Sequence, residues 1–239
     1  MTSGAAPLRD CGAAVAAGLV VCIAGVAVVA SVADTDTWVL IASAALGVVP
    51  AALTCVAVLR RKPPSITPAD RVTLLRSVLA SGCAAVAAMA VLGPAPERSW
   101  WLFALVVVTM SLDAVDGWVA RRTRTATEAG ALLDMQLDAG VLVVLSIAAI
   151  PIAGAWVVLI GAMRYVYVAA SWVWPVLATP LPRSQFRRGV AGIQGGALAA
   201  AMAPVLPKES AAAVLAISLA LLLVSFGSQV LAVRQVATH

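Results

Sequence analysis

The sequence has little of what soluble catalysis normally uses: only 11% of its residues are charged, and its single histidine is the last residue, His239. Without further histidines the chain cannot build a histidine-based triad or a histidine metal cluster, and most general-base chemistry is excluded. Its four cysteines, Cys11, Cys22, Cys55 and Cys83, show no short spacing and are interpreted as small buried hydrophobes. No basic residue alternates with exposed aromatic residues, which excludes nucleic acid as a partner.

Apolar residues are abundant instead, at 62% of 239 residues and a mean hydropathy of +1.02. Soluble domains are about half apolar and a quarter charged, so the sequence predicts a polytopic membrane protein. A helical span needs about 20 residues, and continuous rather than alternating runs exclude a membrane β-barrel. We predict an all-α bundle of about eight transmembrane helices, at residues 12–33, 38–59, 74–93, 100–118, 130–151, 155–174, 189–205 and 210–233.

Basic residues are concentrated in alternate connections between these runs. They are Arg60, Arg61, Lys62, Arg71, Arg76, Arg121, Arg122, Arg124, Arg183, Arg187 and Arg188. The positive-inside rule makes that face cytoplasmic and places both termini on it. We therefore predict an integral protein of the cytoplasmic membrane, whose formal charge of +5 reflects topology and attraction to anionic lipid headgroups.

The chain divides at a proline-rich polar connector, residues 60–70. Before it, residues 1–62 are predicted to form an accessory transmembrane hairpin; after it, residues 63–239 form a six-span catalytic bundle. A cleaved signal peptide at residues 1–33 is the less favoured interpretation, because the apolar stretch is longer than a signal core and the second run follows almost at once.

Four carboxylates lie near membrane depth within residues 111–141, where charged groups are costly and normally mark function. They are Asp113, Asp116, Asp134 and Asp138. The first two are three residues apart and the last two are four apart, so each pair shares a helix face. A capping-box pattern from Thr125 to Glu128 predicts that the second helix starts there. Folding antiparallel helices about residue 125 then brings all four acids into one layer.

Such a layer predicts a site for hard divalent cations. Like charges raise one another's pKa, so four acids stay ionised only with cations among them, and oxygen ligands favour Mg²⁺, Mn²⁺ or Ca²⁺ over zinc. Gly117, Gly130 and Ala120 keep the facing surfaces small, which suits close approach of a ligand. Arg121 lies where it can pair with a phosphate. The hairpin therefore predicts metal-assisted phosphoryl chemistry at the cytoplasmic face.

The four aspartates allow two other interpretations. They could pair with arginines and serve packing alone, although burying four acids for structure is expensive. They could also form a pathway for divalent cations or protons. Beyond Asp113 and Asp138 the spans are apolar toward the opposite face, which counts against a transporter.

The same stretch reads D-x₂-D-G-x₂-A-R-x₈-G-x₃-D-x₃-D from Asp113 to Asp138. It resembles the signature of the CDP-alcohol phosphatidyltransferase family, and the resemblance extends over roughly residues 65–233. It implies a six-span bundle, a homodimer, and an active site open to the cytoplasm. Family members displace CMP from a CDP-lipid, commonly CDP-diacylglycerol, with the hydroxyl of a polar alcohol, using Mg²⁺ or Mn²⁺, here two ions.

By position, the resemblance implies roles for individual residues. Asp113, Asp116 and Asp134 would bind metal, and Asp138 would bind metal and act as general base. The CDP-donor site would comprise Thr73, Arg76, Asp113, Asp116, Gly117, Ala120, Arg121 and Gly130.

The resemblance also indicates an acceptor site. Arg188 and Gln194 stand where several members have a basic residue and a glutamine, whereas Val190 replaces a second basic residue seen in members that use glycerol phosphate. Arg164 lies within a span, where it could bind an acceptor phosphate or balance the aspartates. Arg164 and Arg188 are thus the predicted acceptor-binding residues, and they favour a phosphorylated acceptor.

Overall fold

The computed structural model describes residues 5–31, 34–60, 67–93, 98–123, 127–178 and 185–237. Within these ranges, the side chains of residues 5–7, 29, 68–69, 113–121, 123, 128, 178, 188 and 234–237 lie outside the description.

The described chain is built from helices, and none of it forms a strand. In order, the helices are α1 (Ala5–Ala30), α2 (Thr37–Leu59), α3 (Pro68–Leu92), α4 (Trp100–Thr123), α5 (Glu128–Ala148), the single turn α6 (Ile150–Ala153), α7 (Val158–Val173), α8 (Gln185–Met202) and α9 (Lys208–Ala237). Short 3₁₀ turns at Ala155–Val157 and Pro175–Ala178 precede and follow α7. The predicted all-α membrane bundle is confirmed, and each of the eight predicted runs overlaps one long helix.

Six of the long helices meet both the length and the hydropathy that a membrane span requires, within the described residues. They lie in α1, α2, α3, α5, α7 with its preceding turn, and α9. The described apolar part of α4 is shorter, at Trp100–Leu112. Helix α8 begins with the polar segment Gln185–Arg188, which explains why it is less apolar than the six.

Helix α3 is the centre of the bundle. In its most apolar window 83% of residues are buried, against 17–39% in the other five spans. It packs against α1, α2, α4 and α5. Its small residues, among them Ala80, Ser81, Ala84 and Ala85, let these neighbours approach closely, as is typical of helix packing in membranes.

The N-terminal hairpin of α1 and α2 is packed tightly onto α3. A Cβ atom added to Gly47 of α2 would lie 2.6 Å from the Sγ of Cys22 and 2.8 Å from the Cβ of Ala85. At the other end, Asp10 of α1 accepts a hydrogen bond of 3.1 Å from Arg71 of α3. Three helices therefore share one interface, while the division at residue 62 stays a prediction.

Two threonines begin the helices that carry the polar site. Thr67 caps α3 in a capping box: its Oγ1 accepts from the Asp70 backbone N at 3.1 Å, and its own N donates to Asp70 Oδ2 at 2.8 Å. Thr127 caps α5 by accepting from the Gly130 N at 3.0 Å. The prediction that Thr125 caps this helix is wrong, because the first free N–H groups of α5 meet Thr127 instead; residues 124–126 lie outside the description.

Helices α5 and α7 are in close backbone contact at Gly161 of α7. A Cβ at this position would lie 2.6 Å from the Leu142 carbonyl oxygen and from the Val143 backbone N. Because backbone cannot move aside cheaply, we expect Gly161→Ala to lower the free energy of unfolding by about 1–3 kcal/mol. Thermal unfolding in detergent measures the change.

The matched control is Gly196→Ala in α8, where an added Cβ has no neighbour within 4 Å. Alanine favours helix over glycine by up to about 1 kcal/mol, so this variant is expected to melt at the wild-type temperature or above it. Equal melting of the two variants would contradict the close α5–α7 contact.

Candidate active site

The N-terminal ends of α3 and α5 lie side by side. The Oδ1 atom of Asp70 is 3.9 Å from the position of a Cβ on Gly130. The two helices therefore run parallel from the same end of the bundle, with α3 packed along α5. One and two turns further along α3 come Thr73 and Arg76, which are 3% and 2% exposed.

Arg76 joins two of the predicted metal ligands. Its Nη1 donates to Oδ1 of Asp134 and its Nη2 donates to Oδ1 of Asp138. The carboxylates are one helix turn apart on α5, which matches the two prongs of a planar guanidinium. The side chains of Asp134 and Asp138 are 33% and 42% exposed, so the acids open to solvent while the arginine is enclosed.

The cluster brings two carboxylates and one guanidinium together at the α3–α5 interface. The buried cation requires its acids, since an uncompensated charge there would be strongly destabilising. The acids remain reachable from outside, so the cluster can still attract a further cation. All the donors at this point are carboxylate oxygens, the ligand type that hard divalent metals prefer.

The first pair of aspartates lies on α4. Asp113, Asp116, Gly117, Ala120 and Arg121 occupy its C-terminal half, and their side chains lie outside the description. Helix α3 packs against both α4 and α5, so both predicted aspartate helices adjoin it. No group of three metal-binding side chains occurs among the described residues. Convergence of the four aspartates therefore stays a prediction.

The predicted acceptor residues lie elsewhere. Arg164 of α7 lines a cavity of about 1250 Å³ between α2, α3, α5 and α7, which we call the α2–α7 groove. Asp134 and Asp138 are not among the lining residues, and it is Arg76, not Arg164, that balances them. The side chain of Arg188 lies outside the description. The structure thus brings together Thr73, Arg76, Gly130, Asp134 and Asp138, and not Arg164.

Gln194 has a partner inside the protein. Its Nε2 donates to the Ser218 carbonyl oxygen at 3.0 Å, and its Oε1 accepts from the Ser218 hydroxyl at 2.8 Å. Both side chains are 1% exposed. This reciprocal pair joins α8 to α9, so Gln194 holds two helices together.

Comparison with known proteins decides the family. The family model described as CDP-alcohol phosphatidyltransferase matches residues 66–233, well over half of the chain. The protein belongs to the CDP-alcohol phosphatidyltransferase family. No curated protein and no solved structure matches the chain.

The family match includes the residues of the Arg76 cluster. CDP-alcohol phosphatidyltransferases are membrane transferases that use CDP-alcohol substrates and an alcohol acceptor, generally with divalent metal ions. The match contains α3 from Pro68 onward and every predicted site residue. Helices α1 and α2 lie before it, although they pack directly onto α3.

Sequence reasoning missed the pairing of Arg76 with the two acids of α5. A signal was present: Arg76 falls early in a span that is otherwise apolar, and such a charge normally has an acidic partner or a ligand. The partner could not be chosen from the sequence, because nothing local sets the offset between α3 and α5.

Removing Arg76 tests whether this ion cluster stabilises the fold. We expect Arg76→Gln to lower the free energy of unfolding by about 1–3 kcal/mol, less than for a fully buried pair, because water reaches both carboxylates. The double change Asp134→Asn with Asp138→Asn should also destabilise, since it removes two ion pairs from a buried guanidinium. Adding Arg76→Met to that double variant should recover part of the loss, with a coupling of about 0.5–3 kcal/mol.

Arg71→Gln is the matched control. Arg71 lies on the same helix and is also ion-paired, but its side chain is 67% exposed. Its replacement should change stability by less than about 1 kcal/mol. Chemical unfolding of the purified variants measures all of these values. Additive effects of the Arg76 and aspartate changes would show that the cluster is not an energetic unit.

Proposed function

We propose that the protein transfers a phosphatidyl group from CDP-diacylglycerol to the hydroxyl of a polar alcohol, with release of CMP. The observation that carries the proposal is the cluster of Arg76, Asp134 and Asp138, which lies inside the family match and leaves both carboxylates partly exposed. A diphosphate donor needs cations and guanidinium groups, and this cluster supplies or attracts both.

The described residues fit a divalent metal. Asp134 and Asp138 offer carboxylate oxygens that are partly exposed and already hold one cationic group. With Asp113 and Asp116 they would hold the two Mg²⁺ or Mn²⁺ ions that we propose. When bound, such ions neutralise the diphosphate and the departing CMP, which is the usual contribution of metals to phosphoryl transfer.

Protein groups perform the remaining steps. The acceptor oxygen forms a bond to the phosphorus of the phosphatidyl group, and the bond from that phosphorus to the oxygen of CMP breaks. Asp138 accepts the proton of the attacking hydroxyl. In the structure the Arg76 guanidinium is bound to Asp138, and we propose that it turns to the donor when the donor binds. Its freed N–H groups then suit the donor phosphates.

The other donor contacts follow from sequence position. We propose that Thr73 and Gly130 lie beside the nucleotide, since both adjoin the Arg76 cluster at the N-terminal ends of α3 and α5. Gly117, Ala120 and Arg121 of α4 would complete the CDP site. Arg188 remains the predicted acceptor-binding residue, whereas Arg164, which was predicted with it, lines the α2–α7 groove instead.

The setting of the site is also proposed. The basic connections favour the cytoplasmic membrane, with the aspartates and both termini on the cytoplasmic side. The protein is proposed to act as a homodimer, as the family resemblance implies. Surrounding lipids would deliver the donor within the bilayer.

A divalent-cation or proton transporter is the competing function. It would need polar residues that continue from the aspartates toward the other face. Along α5 beyond Asp138, the residues up to Ala148 are apolar except for Ser146, whose hydroxyl donates to the Leu142 carbonyl oxygen at 2.7 Å. This observation favours the transferase.

The decisive experiment combines substrate turnover with one carboxylate change. Purified protein in detergent, with CDP-diacylglycerol and Mg²⁺ or Mn²⁺, should release CMP when a suitable alcohol is present, and EDTA should stop the release. We expect Asp138→Asn to lower kcat at least about 100-fold, the loss typical of a missing general base, while CDP-lipid binding persists. Release of labelled CMP and equilibrium binding of the donor are measured separately.

Asp36→Asn is the matched control, because Asp36 precedes α2 and its side chain makes no capping hydrogen bond. It should keep wild-type turnover. Loss of donor binding in Asp138→Asn would make that residue an essential ligand rather than a base. Absence of CMP release over a broad panel of alcohols, together with cation flux in liposomes, would overturn the transferase in favour of a transporter.

A further inference from the structure

The α2–α7 groove is a large apolar cavity with cationic groups along it. Its volume is about 1250 Å³, and most of the residues that line it are aliphatic. Its charged residues are Arg60 and Arg164, and no acidic residue is among the lining residues that the structure describes. Neither arginine side chain makes a hydrogen bond or an ion pair within the described part of the chain.

The groove runs through the depth of the bundle. At one end lies Arg60, the residue that follows the last helical residue of α2. At the other end lies Leu92, the last residue of α3. Helix α3 therefore begins near the Arg60 end and runs toward the far end of the groove. Arg164 lies nine residues before the end of α7 at Val173, or about 14 Å at the rise of an α-helix. Because Arg164 is also six residues after Val158, it lies near the middle of α7. Arg60 therefore marks one end of the groove, Arg164 lies part-way along it, and the lining residues near Leu92 are aliphatic.

This site is separate from the Arg76 cluster. Gln136 and Gly140 of α5 line the groove, whereas Asp138 lies between them in sequence and does not. Asp138 is about 160° around the helix from Gln136 and Gly140, although Leu137 and Val141, which also line the groove, are nearer to it. An anion held between Arg60 and Arg164 would not contact the aspartates, because neither Asp134 nor Asp138 lines the groove.

We propose that the α2–α7 groove binds one anionic phospholipid that is not consumed by the reaction. Its phosphate would meet Arg164 and Arg60, and its acyl chains would lie along the aliphatic lining residues toward Leu92. Charge complementarity carries this assignment: an arginine within a span is costly unless an anion matches it, and a lipid phosphate supplies that anion at the membrane. Helix α2 forms one wall, so the N-terminal hairpin completes the site.

Lipid titration followed by native mass spectrometry tests the proposal. The delipidated full-length protein is titrated in detergent with dioleoylphosphatidylglycerol or with dioleoylphosphatidylcholine. We expect the first bound lipid to prefer phosphatidylglycerol at least about tenfold, as fits charge-assisted hydrogen bonds. The double variant Arg60→Gln with Arg164→Gln should lose this preference.

Two further variants keep the test independent of folding defects. Gly140→Leu should weaken binding of both lipids, because its side chain enters open groove space, with no heavy atom within 4 Å of an added Cβ. Arg71→Gln, which removes an exposed arginine outside the groove, should leave the lipid preference unchanged.

Three results would overturn the proposal. Equal affinity for the two lipids in the wild-type protein would remove the role of charge. Unchanged phosphatidylglycerol binding in Arg164→Gln, with a raised KM for the acceptor alcohol, would return Arg164 to the acceptor site. Disulfide cross-linking of two copies through Leu53→Cys, with no lipid bound, would make the groove an interface between copies of the chain.

Discussion

A guanidinium enclosed by helices needs its negative partners in place, and the arrangement of this bundle around Arg76 follows from that need. Arg76 is 2% exposed on the most buried helix, so water cannot solvate its charge. Its partners, Asp134 and Asp138, lie 58 and 62 residues later in the chain. For Arg76 to contact both acids at once, α5 must lie parallel to α3 at one particular position along its axis. A shift of one residue along α5 would turn both acids away by about 100°.

This ionic contact also prepares the site for its chemistry. In the structure the arginine holds the two acids one turn apart, in the spacing that the sequence motif preserves. In the proposed reaction, a divalent ion would give the acids a new cation and the donor diphosphate would give the arginine new anions. Such an exchange of partners would avoid leaving a buried charge without its counterion.

Local patterns were enough to predict the helices and the shared face of each aspartate pair, because residues three or four apart lie on the same face of an α-helix. The pairing of Arg76 was beyond such patterns, since it depends on the register between α3 and α5, which are separated in sequence by α4. The start of α5 shows the same limit on a small scale. Thr125 and Thr127 both suit a cap, and only the folded chain shows that Thr127 meets the N–H of Gly130.

Helices α1 and α2 show how an addition outside the family match can alter a shared fold. They contact α3 away from most of the largest cluster of buried hydrophobic residues. The lack of a side chain at Gly47 lets Cys22 and Ala85 approach closely there. Because α3 is thereby enclosed, the buried Arg76 is shielded from lipid on that side as well. The same packing sets α2 opposite α7 and encloses the space that Arg164 enters. One hairpin thus covers the central helix α3 and, through α2, forms one wall of the groove that Arg60 and Arg164 line.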